Sequence, residues 1–282
     1  RGVGIDRRLR QRKRGERLHL NSTKTYTTEL LKVSGLISET ISLLKFWQPG
    51  MDHKELTDRA VQSGILGKAS ASRAEDIIKE GFAKRFLRPD ETAARQLKVL
   101  VERNCDFNAL RQLFFLYTCR SQQILWDMVS EVYWPAKFAG KDRITMNDVR
   151  MFIIGSFGTE KNNGRWAESI IAKFSNSIPK TLADFGLLGP YKKNGREILP
   201  YTLLDFTLTY ILYDARFKGT NDTQLLYLPD WELFGMQPAE ALERIRNTAI
   251  SSDDYIFQYA GDLARFTWKY ETMEEFLHAE AG

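Results

Sequence analysis

Cysteine and histidine are scarce in this sequence, which has two Cys and three His among its 282 residues. So few cysteines exclude a disulfide scaffold. A structural zinc site needs four ligands that usually arrive as close pairs, whereas Cys105 and Cys119 are 14 positions apart and no His stands near either of them. We therefore expect two reduced thiols and no metal cofactor.

Long apolar runs are missing as well. No stretch approaches the roughly 18–20 apolar residues that a bilayer-spanning helix needs, and no apolar signal segment follows the basic first residues. The composition, with 43% apolar and 27% charged residues, is typical of a folded globular chain. The sequence therefore predicts no membrane insertion and no secretion, and we expect a cytoplasmic protein.

The common catalytic motifs are absent too. The chain contains no G-x-x-x-x-G-K-[ST] phosphate loop, no G-x-G-x-x-G dinucleotide fingerprint and no G-x-S-x-G nucleophile elbow. The adjacent acids Asp253-Asp254 and Glu274-Glu275 do not face one another on a helix. Because no residue can be named as catalytic, we expect a protein that is not an enzyme and that uses no cofactor.

Charge is distributed unevenly, although the net charge is only +5. Residues 1–24 carry nine Lys or Arg against two acids, residues 161–203 carry seven against three, and residues 204–282 carry six against fourteen. This asymmetry favours one anion-binding side and a different surface for another partner. The basic first residues are typical of a nucleic-acid-binding arm or of a solvated tail, and the sequence leaves both interpretations open.

Helical periodicity dominates residues 35–158. Apolar residues recur at i, i+3 and i+4 in four segments, which begin at Ala74, Leu110, Ile124 and Val149. Candidate N-caps precede three of these segments, namely Ser70 or Ser72, Asp106 and Asn147. The pattern predicts a bundle of five to six helices. We expect a mainly α fold with a basic arm at 1–24, a helical bundle at 25–158 and a C-terminal domain at 159–282.

The segment 159–203 indicates a winged helix-turn-helix. A short helix at 166–174 is followed by a polar turn at 175–177, whose last residue is placed to cap a second helix that ends at Phe185. Two short extended pieces then flank Asn194-Gly195, a strong hairpin signal because both residues tolerate positive φ. Helix, turn, helix and basic hairpin is the order of a winged helix-turn-helix.

The rest of the chain completes a winged-helix-like C-terminal domain. An apolar helical stripe follows Pro200, and residues 255–268 alternate as two strands around Gly261-Asp262. A Thr272-x-x-Glu275 capping box predicts a last helix. We therefore expect short β-hairpins within a mainly α protein.

In a winged helix-turn-helix, the second helix lies in the major groove and the hairpin touches the flanking backbone. This second helix offers few base-reading side chains, which favours phosphate contacts and little sequence discrimination. The candidate DNA-binding residues are Ser177, Lys180 and Thr181 on the helix, Lys192, Lys193 and Arg196 on the hairpin, and Arg7, Arg8, Arg10, Arg12, Lys13 and Arg14 on the arm. Because many winged helices bind proteins instead, an interaction scaffold stays open.

Four sequence blocks resemble the A protein family of the BREX bacteriophage-exclusion systems. They are Tyr26–Ile37, Arg88–Arg95, Trp166–Leu188 and Gln258–Phe276. The specificity of the resemblance lies in the order and spacing of the blocks. Residues 1–20 precede the usual opening of the family, so the resemblance implies nothing about the arm.

The resemblance implies a mostly helical, non-enzymatic protein of the bacterial cytoplasm that acts in phage defence. It also implies binding of double-stranded DNA and partnership with other BREX proteins. Part of the family fold is similar to a helical bundle of RNA antitermination factors, so RNA stays an alternative ligand. The second hypothesis is an interaction scaffold that docks a larger defence subunit through the acidic C-terminal region, and RNA binding is the third.

Overall fold

A computed structural model describes residues 25–159, 162, 164, 166–261 and 263–280. The fold is mainly helical with small antiparallel sheets, as the sequence predicts. Among the described helices, none combines the length and the apolar character that a bilayer crossing requires. The candidate arm residues lie outside the described residues; they are Arg7, Arg8, Arg10, Arg12, Lys13 and Arg14. The division into domains stays a prediction.

Seven helices lie between residues 37 and 155 of the described chain, against the five to six predicted. They are α1 (Ile37–Phe46), α2 (His53–Ser63), α3 (71–86), α4 (Thr92–Glu102), α5 (Phe107–Ser121), α6 (123–138) and α7 (Met146–Gly155). Two of them, α3 and α6, contain π-helical stretches at Ile77–Ala83 and Met128–Tyr133. A short strand, β1 (Arg143–Thr145), joins α6 to α7.

Side-chain caps fix where several of these helices begin. Ser70 and Asp106 cap α3 and α5 as predicted, since each side chain accepts hydrogen bonds from backbone amides two or three residues ahead. The predicted cap at Asn147 is wrong, because α7 begins at Met146 and its N-cap is Thr145. The Thr145 hydroxyl accepts from the Asp148 N–H, and the Asp148 carboxylate accepts from the Thr145 N–H. This reciprocal capping box satisfies two otherwise unpaired donors.

One continuous helix, α8 (Glu168–Asp184), replaces the predicted helix, turn and helix. The predicted turn at 175–177 is therefore wrong, and Ser177 caps no helix. A single buried stripe runs along α8, made by Ile171, Phe174, Ile178 and Leu182. A turn in the middle of the helix would place the apolar residues before and after it on different faces, and they could no longer be buried together. Burial of the stripe therefore outweighs the cost of Pro179, whose ring nitrogen has no N–H to donate inside the helix.

The strands β1, β2 (Leu188–Lys192) and β3 (Gly195–Ile198) form an antiparallel sheet in the order β1-β3-β2. The hairpin predicted from the sequence is confirmed as β2–β3. Its turn residues with positive φ are Lys193 and Asn194, and not Asn194 and Gly195 as predicted. No sequence pattern indicated β1, which lies along the outer edge of β3.

The C-terminal elements follow the predicted order, with additional helices between them. They are α9 (Asp205–Phe217), α10 (Asp222–Leu225), a 3-10 helix (Pro229–Phe234), α11 (Pro238–Ser251), β4 (Tyr255–Ala260), β5 (Leu263–Trp268) and α12 (Met273–Glu280). The terminal hairpin is confirmed. The capping box is confirmed as well, because the Glu275 N–H donates to the Thr272 hydroxyl at 3.1 Å and the Thr272 N–H donates to the Glu275 carboxylate at 3.3 Å.

A single hydrophobic cluster extends from Tyr26 to Leu277 and connects both halves of the described chain. At its centre lies α5, in which every residue from 112 to 119 is buried. The end of α5 is held by Arg120, which donates to the carboxylates of Asp214 and Asp230 at 3.0 and 2.7 Å. Loss of Arg120 would remove the ion pair of the buried Asp230 carboxylate, which is strongly destabilising. The sheet and α8 therefore rest on a firmly connected core.

Candidate nucleic-acid interface

The turn of the β2–β3 hairpin carries two exposed lysines, Lys192 and Lys193. Lys193 has a φ of 44° and Asn194 a φ of 70°, and two-residue hairpin turns of type I′ require positive φ at both positions. Asn and Gly are the usual residues there, and an ordinary residue in this region carries strain of about 1–2 kcal/mol. This turn therefore holds the Lys193 side chain at the exposed tip of the hairpin.

Two arginines hold the hairpin from inside the sheet. Arg143 of β1 donates from Nη1 to the main-chain oxygens of Lys192 at 3.0 Å and Lys193 at 3.3 Å. Arg196 is half-buried and donates to the main-chain oxygen of Gly189 at 2.9 Å. Arg196 is one of the candidate residues, and this bond commits part of its guanidinium to the shape of β2. Arg143 was missed, because its role depends on a strand pairing that the local sequence does not reveal.

Close packing of the strands explains the glycine after the turn. A Cβ atom at Gly195 would lie 2.7 Å from the main-chain oxygen of Ile144 in β1. Any larger residue would push β1 away from β3, and the hairpin would lose the strand that carries Arg143. Gly195 is therefore required by the contact between strands and not by the turn.

The outer face of α8 presents a polar stripe to solvent. Its members are exposed and are spaced i, i+4, i+7 and i+11, namely Ser169, Lys173, Asn176 and Lys180. Of these, only Lys180 was a candidate residue from the sequence. Lys173 and Asn176 were missed because the predicted turn divided the helix. A helical projection over the whole of 168–184 would have placed all four residues on one face.

Three side chains near the end of α8 are buried or engaged within the fold. Thr181 is fully buried, and its hydroxyl donates to the main-chain oxygen of Ser177 at 3.0 Å, so this geometry gives no support to the predicted contact between Thr181 and DNA. The Ser177 hydroxyl is buried as well and has no partner among the described residues. Asp184 accepts a hydrogen bond from the Gly35 N–H at 3.2 Å, which ties α8 to the segment before α1.

The charges of Lys180 and Arg196 both act on the carboxyl group of Asp184. Burial raises the pKa of Asp184, whereas the hydrogen bond from Gly35 and the charges of Lys180 and Arg196 oppose the rise. The two cations are therefore close to the same carboxyl group. α8 also packs against β2, so the helix and the hairpin adjoin one another.

Four lysines of this surface have no carboxylate within 4.0 Å in the part of the chain that the structure describes. We call them the four candidate lysines: Lys173, Lys180, Lys192 and Lys193. Nearby cations differ, since Arg150 forms an ion pair with Glu168 and Lys141 lies 3.5 Å from Asp148. The four candidate lysines are therefore open to an external anion.

Two basic residues of α3, Lys84 and Arg85, are engaged within the fold. Lys84 pairs with Glu29 at 2.5 Å and with Glu80 at 2.6 Å. Arg85 is buried, and its guanidinium donates to the main-chain oxygens of residues 33–35. Burial lowers the pKa of Arg85 to about 10. These cations stabilise the fold and leave little charge for a ligand.

Metal and thiol chemistry find little support in the described residues. Within 25–159, 162, 164, 166–261 and 263–280, no group of His, Cys, Asp and Glu could hold a metal ion. Cys105 and Cys119 are free thiols. Burial raises the pKa of Cys105 to about 11 and that of Cys119 well above its ordinary value, so neither is a reactive thiolate at neutral pH.

Comparison with known families gives a match that includes this surface. A family model described as BrxA matches residues 24–213, which is more than half of the chain. The matched residues contain β1, α7, α8 and the β2–β3 hairpin, whereas the resembling block at 258–276 lies outside them. No curated protein matches the chain.

Proposed function

The chain belongs to the BrxA family of the BREX phage-defence systems, and from this premise we propose that it is a non-enzymatic protein that binds duplex DNA. The proposed contact surface is the outer face of α8 together with the tip of the β2–β3 hairpin. Binding there needs no metal ion and no nucleotide, because lysine side chains supply the charge.

The order of the elements supports a winged helix-turn-helix at this surface. The segments α6, β1, α7 and α8 precede the β2–β3 hairpin, and β1 pairs with β3 behind it. In modules of this kind, the second helix of the pair enters the major groove and the hairpin contacts the neighbouring backbone. Here α7 and α8 are the helical pair, α8 is the recognition helix and the hairpin is the wing. The sequence placed both helices of the pair within residues 166–185. The proposal instead takes α7 as the first helix and the whole of α8 as the second.

The four candidate lysines are the observation that carries this proposal. Lys173 and Lys180 lie about 10 Å apart along the axis of α8, and Lys192 and Lys193 extend the positive charge to the wing. Lysines that neutralise phosphates release condensed counterions, which supplies most of the affinity of non-specific binding. Asn176 is the one amide side chain in the exposed stripe of this helix. We therefore propose backbone recognition with little sequence discrimination.

Duplex DNA suits this surface better than RNA. The major groove of B-form DNA admits an α-helix, whereas the major groove of A-form RNA is too narrow for one. Proteins that bind single strands usually offer several aromatic rings to the bases. In the described part of the wing and the exposed stripe, the exposed ring is Tyr191. Competition by unlabelled single-stranded RNA should therefore be weaker than competition by unlabelled duplex DNA.

Removal of charge from the wing tests the proposal. The double variant Lys192→Ala with Lys193→Ala should weaken binding to a short labelled DNA duplex about tenfold or more at low salt, because two phosphate contacts are lost. The matched control removes Lys54 and Lys68, two exposed lysines at α2 and beyond it, and should keep nearly native affinity. Equal weakening in both variants, or no binding by the native chain, would contradict the proposal.

We also propose a cytoplasmic location and partnership with other BREX proteins, which family membership favours. The segment 204–282 carries eight more Asp and Glu residues than Lys and Arg residues. Asp214, Asp230 and Asp254 of this region are buried, whereas seven of its other Asp and Glu residues are exposed. Exposed acidic residues are repelled by DNA and are therefore suited to contact protein. Capture of a BREX subunit from a nuclease-treated lysate, with loss of that capture when acidic residues of this region are neutralised, would test the partnership.

A further inference from the structure

The terminal hairpin has one long edge that is covered by side chains, and this edge belongs to β5. The Phe266 N–H donates to the Asp222 carboxylate at 2.8 Å, and the Ala264 N–H donates to the Thr223 hydroxyl at 3.3 Å. Both acceptors stand on α10. The two amides therefore point away from β4.

The other long edge, on β4, is not covered in the same way. In an antiparallel pair, residues opposite one another either both turn their backbone groups toward the partner strand or both turn them away. Phe257 lies opposite Phe266, and Tyr259 lies opposite Ala264. Phe257 and Tyr259 therefore direct their N–H and C=O groups outward, where these groups have no partner among the described residues.

β4 also lacks the features that keep an edge strand single. Its six residues, Tyr-Ile-Phe-Gln-Tyr-Ala, contain no charge, no Pro and no Gly, and its pairing with β5 contains no bulge. Natural edge strands are usually protected by lysine, proline or a bulge. On the outer face of the hairpin, Ile256 and Leu263 are 62% and 73% exposed. An unprotected edge beside exposed apolar residues indicates a surface that another strand covers.

We propose that β4 pairs in antiparallel orientation with β4 of a second copy of this chain and thereby builds a four-stranded sheet. A strand without charge can lie beside its own copy without placing like charges opposite one another. With a two-fold axis at Gln258, Phe257 of each copy exchanges two backbone hydrogen bonds with Tyr259 of the other. The four N–H and C=O groups of Phe257 and Tyr259 in each strand are then paired. A strand that carried Lys or Glu would not fit itself in this way.

The register of this pairing places the two Gln258 side chains directly opposite one another. They form a pair without backbone hydrogen bonds, in which Cβ atoms are about 4.5–5.5 Å apart. The pairing uses no residue of α8 or of the β2–β3 hairpin, so it is independent of DNA binding. Failure of either proposal therefore leaves the other intact.

Sedimentation equilibrium of the full chain over the micromolar range tests the pairing, and we expect a monomer–dimer equilibrium. Gln258→Lys places two ammonium groups opposite one another and should raise the dissociation constant of the dimer about tenfold or more. Thr267→Lys adds the same charge to an exposed position on β5, away from the edge, and should leave the constant near its native value. A chain that is monomeric at every concentration, or a Gln258→Lys dimer as tight as the native one, would overturn the proposal.

Two further variants test the register itself. A mixture of the Gln258→Lys and Gln258→Glu chains should form heterodimers more tightly than either chain forms homodimers, because opposite charges then face across the axis. Gln258→Cys should form a disulfide between copies under mild oxidation, whereas Thr267→Cys should not. Absence of the heterodimer preference, or equal cross-linking at both positions, would show that copies do not pair along β4.

Discussion

The Arg143 guanidinium donates a hydrogen bond of 3.3 Å to the main-chain oxygen of Lys193. This contact joins β1 to the tip of the hairpin, where Lys193 holds a φ of 44°. The Arg143 guanidinium is thus engaged with the backbone inside the sheet, whereas the Lys193 side chain is open to solvent. The pair illustrates that basic residues close together on one sheet can have different roles, since one shapes the surface and the other offers charge.

Arg143→Ala should loosen the hairpin without unfolding the protein. The variant loses two charge-assisted hydrogen bonds at a partly exposed site, which together contribute about 1–2 kcal/mol to the stability of the turn. Backbone amides of β2 and β3 beside the turn should then exchange hydrogen about fivefold faster or more, whereas amides of α5 should keep their protection. Unchanged exchange at the hairpin would show that Arg143 does not hold it.

Ser177→Ala should be neutral or slightly stabilising. The Ser177 hydroxyl is buried without a partner in the described chain, and Ala is favoured over Ser inside a helix by about 0.5 kcal/mol. If Ser177 instead capped a separate helix, the same change would cost about 1 kcal/mol. Urea unfolding of the two proteins separates these outcomes, and a clear loss of stability would contradict a continuous α8.

Local sequence patterns predicted the parts of the fold that local forces determine. Ser70 and Asp106 cap their helices because a cap depends on a few neighbouring residues. The polar run before Pro179 indicated a turn and a new helix, since proline is common in the first turn of a helix. Burial of the long apolar stripe overrides that local signal and keeps α8 in one piece.

The candidate site was less predictable, because its properties depend on residues far apart in sequence. Lys192 and Lys193 were identified from charge and turn composition alone. The burial of Thr181 was not predicted, because it depends on the core behind α8. β1 is only three residues long, too short for a periodic pattern, and its pairing with residues 195–197 brings Arg143 to the hairpin.

The buried Asp254 should make stability fall as the pH rises. Burial and the nearby charge of Glu280 raise the pKa of Asp254 from 3.8 to about 6, although Ser252 and Lys269 partly oppose the rise. The folded protein therefore holds this proton to a higher pH than the unfolded chain does, so the free energy of unfolding decreases between about pH 4 and pH 6 and stays lower above that range.

Asp254→Asn removes this penalty. We expect the melting temperature of the variant to exceed the native value by a few degrees at neutral pH, and we expect the difference to shrink at about pH 4, where native Asp254 is largely protonated. Thermal unfolding across this range measures the effect. A difference that is as large at low pH as at neutral pH would show that the titration of Asp254 is not its cause.

The salt dependence of duplex binding tests the central claim most directly. For the native chain, the logarithm of the association constant should fall linearly with the logarithm of the salt concentration. Changing the four candidate lysines together to alanine (Lys173, Lys180, Lys192 and Lys193) should reduce the magnitude of that slope by about three to four, since each lost phosphate contact contributes about 0.9. A native affinity that ignores salt, or a slope that survives all four changes, would contradict the account.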